Sequence, residues 1–375
     1  MATTLKIQFK LILMNFLYLL LVIQSFLKRR ESLQNIKRIG ILFLPRLGIG
    51  DLVMLSPAIQ KIAEIFKGSE IFLITWVEPI LDFKGITIIK PQEFKNRRRQ
   101  FDLLISPTLN LRHLPFVFRA KYWVGYFAKP KIQANFPIKK YSYHLRLEHY
   151  LWRGIRLVKA LNEQQGNFLE KEAHNKNVVY PELICQEPSY FENSLKEEKY
   201  LALAPISKWA DRQWPIKNFG EIIRKIFRDR LLTKAVILGD KSEHDRRLAN
   251  ALLENLQDIP KDFFVDAVGK NSLSQTIFLI KNSHLFLGLD SSPAHFAYLT
   301  SPRALTIFIT VDPIYRVPLT KIPGVIRFLC PKNCPKFPCY SGLIPSEAKQ
   351  CQKCASSITT AVVINEAEQL LKQNP

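Results

Sequence analysis

The strongest constraint on this chain is a recurring alternation of short, largely apolar runs with stretches of helical spacing. The first part holds IGILFL (39–44), EIFLITW (70–76), ITIIK (86–90) and FDLLIS (101–106), with helices starting near Asp51 and around His144 to Leu161. A polar stretch from Asn162 to Glu198 follows, with charges, prolines and no regular periodicity, and reads as a linker. The alternation then resumes with YLALAP (200–205), KAVILG (234–239), FFVDAVG (263–269), HLFLGL (284–289) and RALTIFI (303–309), separated by helices such as Lys217 to Arg230 and Ser242 to Leu256. Runs that stay apolar over several consecutive positions, without a polar residue at every second one, suit strands buried on both faces, and parallel strands need helical crossovers between them. The expected fold class is therefore α/β: two Rossmann-like, doubly wound domains facing a cleft, at 39–180 and 196–375, behind an N-terminal apolar segment with a basic flank at 1–38. A length of 375 residues and 47% hydrophobic content suffice for two cores.

The N-terminal segment LILMNFLYLLLVIQSFL (11–27) is apolar all round, with Lys10 before it and Lys28, Arg29 and Arg30 after it. As a helix it would span roughly 25 Å, against a hydrocarbon core of roughly 30 Å. It lacks a small-residue cleavage site, and its stronger positive flank is C-terminal, the reverse of a cleaved signal peptide. The expectation is an uncleaved anchor that holds the body at the cytoplasmic face of the inner membrane; the alternative is a helix packed on that body.

Charge adds a second constraint. The formal net charge is +22, and the stretch from Lys90 to Lys159 alone carries 16 basic residues against 3 acidic ones. Phosphates, anionic lipid or nucleic acid are the partners such a surface favours. No nucleic-acid reading module accompanies the charge, so nucleic acid is not the expected partner. Cys330, Cys334, Cys339, Cys351 and Cys354 crowd into the C-terminal part, with a single C-x-x-C pair. That spacing leaves a structural metal clip and a metal-free thiol cluster both open, and assigns neither a catalytic role.

In doubly wound sheets, ligands bind beyond the carboxyl ends of the strands, against helix N-termini. The rule selects three loops: PRLGIGD before the first helix, PISKWADRQWP (205–215) and GLDSSPAHFA (288–297). Within and beside them lie Gly50, Asp51 and Pro57; Arg212, Gln213, Trp214 and Pro215; Gly239 with Glu243; and the run Asp290, Ser291, Ser292, Pro293, Ala294, His295. In this order and spacing the chain resembles glycosyltransferase family 9, the group that includes the lipopolysaccharide heptosyltransferases, over most of residues 39–370.

The resemblance implies a GT-B fold and metal-independent, inverting transfer of a sugar from a nucleotide donor, with the acceptor in the first domain and the nucleotide in the second. It implies a nucleotide sugar as substrate and no cofactor. Because the basic stretch from Lys90 to Lys159 falls in the acceptor half, the expected partner there is an anionic lipid-linked glycan acceptor, or an anionic membrane surface on which that stretch docks. Asp51 matches the family's catalytic base, although Asp at a helix start is also an ordinary N-cap. Arg212 matches the cation beside the leaving group, since a guanidinium can bridge phosphate oxygens, and is otherwise a solvated loop charge. Asp290, Ser291, Ser292 and His295 open a helix and would hold the diphosphate, with Ser207 and Lys208 as further phosphate contacts. His295 could also be a satisfied helix histidine. Glu243 would accept hydrogen bonds from the ribose, or simply compensate a helix dipole. Trp214 and Pro215 read as structural.

Three positions depart from the family pattern: Ile206, Ser292 and Ile309 stand where glycine is usual. Glycine allows positive φ and close backbone approach, so these changes predict a reshaped donor pocket. They also keep open a second reading, an inactive relative that still binds nucleotide sugar or glycan.

Overall fold

The computed structural model of the chain describes residues 36–44, 47–95, 101–107, 120–125, 149–332, 337–338 and 353–373. The apolar segment 11–27, most of the basic stretch between 96 and 148, and Cys334, Cys339 and Cys351 lie outside them. Among the described residues no helix is long and apolar enough to cross a membrane.

The strands form two parallel sheets. The first contains β1 (Arg38–Phe43), β2 (Glu70–Thr75), β3 (Ile86–Ile89), β4 (Phe101–Ser106) and β5 (Ala120–Gly125), in the order β3-β2-β1-β4-β5. The second contains β6 (Tyr200–Ala204), β7 (Lys234–Ile237), β8 (Phe264–Asp266), β9 (Leu285–Leu289), β10 (Arg303–Ile307) and β11 (Val325–Leu329), in the order β8-β7-β6-β9-β10-β11. The winding reverses between β1 and β4 and again between β6 and β9, and each reversal opens a crevice at the strand C-termini. The expected α/β architecture of two doubly wound halves is the one observed.

The apolar runs locate nine strands to within three residues at either end, and two further strands escape them. β5 (AKYWVG) and β11 (VIRFL) lie at sheet edges. β11 is only half-buried along its length, and each strand carries a basic residue, Lys121 or Arg327, that a central strand could not bury.

The stretch read as a linker holds a helix. After helix α1 (Ile49–Ile65) and helix α2 (Tyr150–Leu161), helix α3 (Glu163–His174) starts on Asn162, whose side chain accepts the Gln165 N–H at 3.0 Å. Its three buried residues, Gly166, Leu169 and Ala173, are spaced by three and four and face α2, but charged residues between them mask the period. The remainder is stitched to both halves by backbone bonds, from Ile184 N–H to Ile80 O (2.9 Å) and from Gln186 N–H to Ser274 O (3.2 Å).

In the second half, α4 (Ile216–Arg228), α5 (Glu243–Glu254), α6 (Leu273–Lys281), α7 (Ser292–Thr300) and α8 (Thr360–Lys372) cover the sheet. Helix α7 also packs against α1 of the first half, with Phe296 and Ala297 buried. Apolar packing is therefore continuous between the halves, and it brings the N-termini of these two helices together.

Candidate functional site

The loops at the C-terminal ends of β1, β6 and β9 converge on one cleft of about 510 Å³. A volume of that order suits a ligand the size of a nucleotide sugar. Trp76, beyond β2, and Trp209, beyond β6, also line it and are 43% and 53% exposed, unusual openness for so large an aromatic surface.

Asp51 enters from α1. It sits at the third position of the helix, not at the cap: Gly48 is the N-cap, and Asp51 Oδ2 accepts its N–H at 2.7 Å. The other oxygen, Oδ1, lies 3.4 Å from Nη1 of Arg316. Burial lifts the Asp51 carboxyl above its ordinary 3.8, and Arg316, the Gly48 amide, Arg212 and Arg153 partly oppose that lift. A carboxylate made more basic by burial, but held by one backbone amide, is suited to accept a proton.

Arg212 ends the short turn Ala210–Arg212 after β6. Its Nη1 donates to Asp290 Oδ2 at 3.0 Å, with both side chains buried. Two neighbours fix the loop. Gln213 accepts the Ser207 N–H (2.8 Å) and donates to the carbonyls of Pro205 and Trp214 (2.8 Å each). Trp214 is fully buried, edge-on to Phe219, and donates to the carbonyls of Ala355 and Ile358, which confirms its structural reading. Ser207 is buried and accepts the Trp209 N–H at 3.2 Å, whereas Lys208 is exposed and pairs with Asp240 at 2.6 Å. Burial favours neutralising Asp240, but Lys208 and the Ser242 amide and hydroxyl outweigh it and hold the carboxyl down at about 2.

Asp290 and Ser291 follow β9 and lead into α7. The Ser291 hydroxyl donates back to Leu289 O (3.2 Å) instead of capping the helix, so no side chain caps the first turn where it faces the cleft. Such a terminus favours an anion. His295 is buried one turn further on, and its Nδ1 has no partner among the described residues. Burial pushes its pKa down to about 3, with Asp290 opposing and Arg316, His149 and Arg212 reinforcing, so the ring is neutral.

Glu243 is not brought into this group. It is exposed at the start of α5, beside Lys241 and Arg247 on a neighbouring hollow. The carboxylate that lines the cleft from α5 is Asp245, which is buried and accepts the Asp240 N–H at 2.8 Å. A helix has one inward face per turn, so residues two apart cannot both point into the cleft.

Nor do the three lost glycines occupy backbone that demands glycine. Among the described residues only Lys176 and Arg230 are non-glycine with positive φ, so Ile206, Ser292 and Ile309 sit in ordinary conformations. Ile309 is buried in the second core, and Ile206 forms part of the cleft wall.

Arg316 and His149 were not signalled by the loop rule. Arg316 follows the turn Pro313–Tyr315, which Asp312 starts by accepting the Ile314 N–H at 2.9 Å; VDPIYR has strand–turn chemistry but no glycine and no helix after it. Of the cysteine cluster only the Cys330 side chain is described, as a half-buried free thiol. No group of three metal-ligating side chains occurs among the described residues.

A family model of glycosyltransferase family 9 (heptosyltransferase) matches residues 96–338, well over half of the chain. The chain belongs to glycosyltransferase family 9. Solved structures agree with the fold of this family 9 glycosyltransferase. It aligns with the glycosyl transferase family 9 from Veillonella parvula at a TM-score of 0.61 and 15% identity, covering 89% of this chain and 97% of that one. Against the E. coli ADP-heptose lps heptosyltransferase II the TM-score is 0.62 at 13% identity, over 89% and 98%. Against the iron-containing dodecameric glycosyltransferase TibC from enterotoxigenic E. coli it is 0.57 at 14%, over 91% and 78%. No curated protein matches the chain in sequence. The structural likeness therefore speaks for the GT-B architecture, and the family model for the class of enzyme.

Proposed function

We propose that this family 9 enzyme transfers a heptose or similar sugar from a nucleotide donor, with inversion and without a metal ion, to an anionic lipid-linked surface glycan. One arrangement carries the reading: Asp51 projects from the first half toward Arg212 and the uncapped N-terminus of α7 in the second. That is a base on one side of a cleft and a preorganised anion site on the other, the two demands of displacement at an anomeric carbon. The acceptor hydroxyl oxygen attacks that carbon and Asp51 takes its proton. The bond to the diphosphate breaks, and the nucleoside diphosphate leaves with the electron pair. Arg212 stabilises the charge that develops there, together with the first amides of α7, the Ser292 hydroxyl, the Ser291 hydroxyl once it turns from Leu289 O, and His295, while Ser207 and Lys208 flank the phosphates.

The structural relatives named for ADP-heptose make an adenine nucleotide the first donor to test. The 16 basic residues between Lys90 and Lys159 support an anionic acceptor, and the apolar segment 11–27 with its basic flank supports work at the cytoplasmic face of the inner membrane. The five cysteines remain available for a structural metal with no part in transfer.

The test is purified full-length protein with ADP-heptose and a panel of other nucleotide sugars, read by thermal stabilisation and by acceptor-dependent nucleoside diphosphate release. Stabilisation by one donor class, with release lost in Asp51→Asn, is the expected result. Stabilisation by none of them would count against the reading; binding without turnover would favour the inactive relative.

A further inference from the structure

Arg316 contacts carboxylates of both halves, and its surroundings are built to hold it there. Its Nη1 lies 3.4 Å from Asp51 Oδ1 and its Nε 4.0 Å from Asp290 Oδ2, the oxygen that also accepts from Arg212. The guanidinium is buried beside the Tyr150 ring, 5.7 Å from its centroid. Behind it the backbone is fixed twice: Arg316 N–H donates to Pro313 O at 2.8 Å, and His149 Nε2 lies 2.9 Å from Val317 O. His149 Nδ1 accepts the Leu151 N–H at 3.2 Å, which leaves Nε2 as the protonated nitrogen and the donor to Val317. One first-half histidine therefore both caps α2 and pins the second-half segment that presents Arg316.

We propose that Arg316 is a positioning residue, which aims the Asp51 carboxylate from the opposite half of the molecule so that the base is aligned only while the halves are together. This rests on Asp51 being the base. One Asp51 oxygen is committed to Gly48 and the other faces Arg316, so the two contacts together fix the plane of the carboxylate. Arg316 also joins that plane, through Asp290, to Arg212 at the diphosphate site. An acceptor that displaces Arg316 from Oδ1 would find that oxygen already turned toward the leaving-group side. The charged groups facing Asp51 are Arg316, Arg212 from the β6 loop and Arg153 from α2; Asp290 stands beyond Arg316, and His295 is neutral.

The experiment titrates the Asp51 carboxyl by carbon NMR in full-length protein, with its signal assigned by its loss in Asp51→Asn, and measures ADP release from ADP-heptose in the same variants. Arg316→Gln is expected to move the Asp51 titration up by about one pH unit or more, because the nearest opposing cation is gone. Arg316→Lys is expected to keep the titration close to the parent's and still lose most turnover, because a point charge replaces a fixed fork. An unmoved titration in Arg316→Gln overturns the proposal. If Arg316→Gln does not fold, Arg316→Lys decides: parental turnover there overturns the proposal equally. Full turnover in Asp51→Asn would instead remove the base reading and leave the titration result standing, so the two failures are separable.

Discussion

Gly50 and His295 are pressed together where the two halves meet: a Cβ on Gly50 would lie 2.2 Å from His295 Cδ2 and 2.6 Å from Nε2. Gly50 has a negative φ, so its lack of a side chain serves close approach and not an unusual backbone. The ring it admits is buried and belongs to α7, which packs on α1. Gly50→Ala is therefore expected to push α7 from α1, lowering stability by about 1–3 kcal/mol and turnover with it. Denaturant unfolding of the variant beside the parent checks this, and an unchanged midpoint would mean that His295 has room to move.

Asp51→Asn is expected to abolish turnover while unfolding at the same or a higher temperature at pH 7. The sign follows from burial. The folded carboxyl titrates above 3.8, so between that value and its raised one the folded state binds more proton than the unfolded state, and stability falls as pH rises through the window. At neutral pH the ionised carboxylate costs stability, and Asn removes that cost. The same shift places the acid limb of the pH–rate profile above the ordinary carboxylate range.

Arg212→Ala is expected to lower kcat by about a hundredfold or more, the cost of losing one strong donor to developing charge. The KM for acceptor should change little, because Arg212 touches the donor side. Arg212→Lys keeps a charge without the planar fork and should recover only part of the loss. Steady-state kinetics at saturating donor separate these outcomes.

The two carboxylates in the first turn of α5 give a direct comparison. Asp245→Ala is expected to weaken ADP binding about tenfold, because it frees the Asp240 amide and the loop that floors the cleft. Glu243→Ala, at an exposed position on the neighbouring hollow, should leave donor binding within about twofold. Isothermal titration with ADP measures both, and the opposite ranking would restore the ribose role to Glu243.

His295 enters the folded state neutral. Its pKa falls from 6.5 to about 3, so the stability this gives is full above 6.5 and is lost as pH falls toward 3. Acid unfolding of the parent should therefore begin below pH 6.5, and His295→Gln should flatten that part of the curve. His295 should add no limb to the pH–rate profile above about pH 3.

The alternation of strands and crossovers was written in the sequence, because a run such as KAVILG can be buried on both faces in only a few ways. The loops that bear Asp51, Arg212 and Asp290 were legible for the same reason: a doubly wound sheet places its sites at strand ends, and the glycines, prolines and serines there are local signals. Edge strands β5 and β11 and helix α3 were not legible, since half-exposed elements mix charge into the apolar pattern. What only the tertiary structure decided is which side chains meet. Asp245 and not Glu243 faces the cleft because of the rotation of one helix. Arg316 reaches Asp51 across 265 positions of chain because two separate sheets are docked through α1 and α7. A helix start or a strand end is a local choice of backbone, readable from neighbours in the chain. An ion pair between halves depends on the packing of surfaces that no local pattern records.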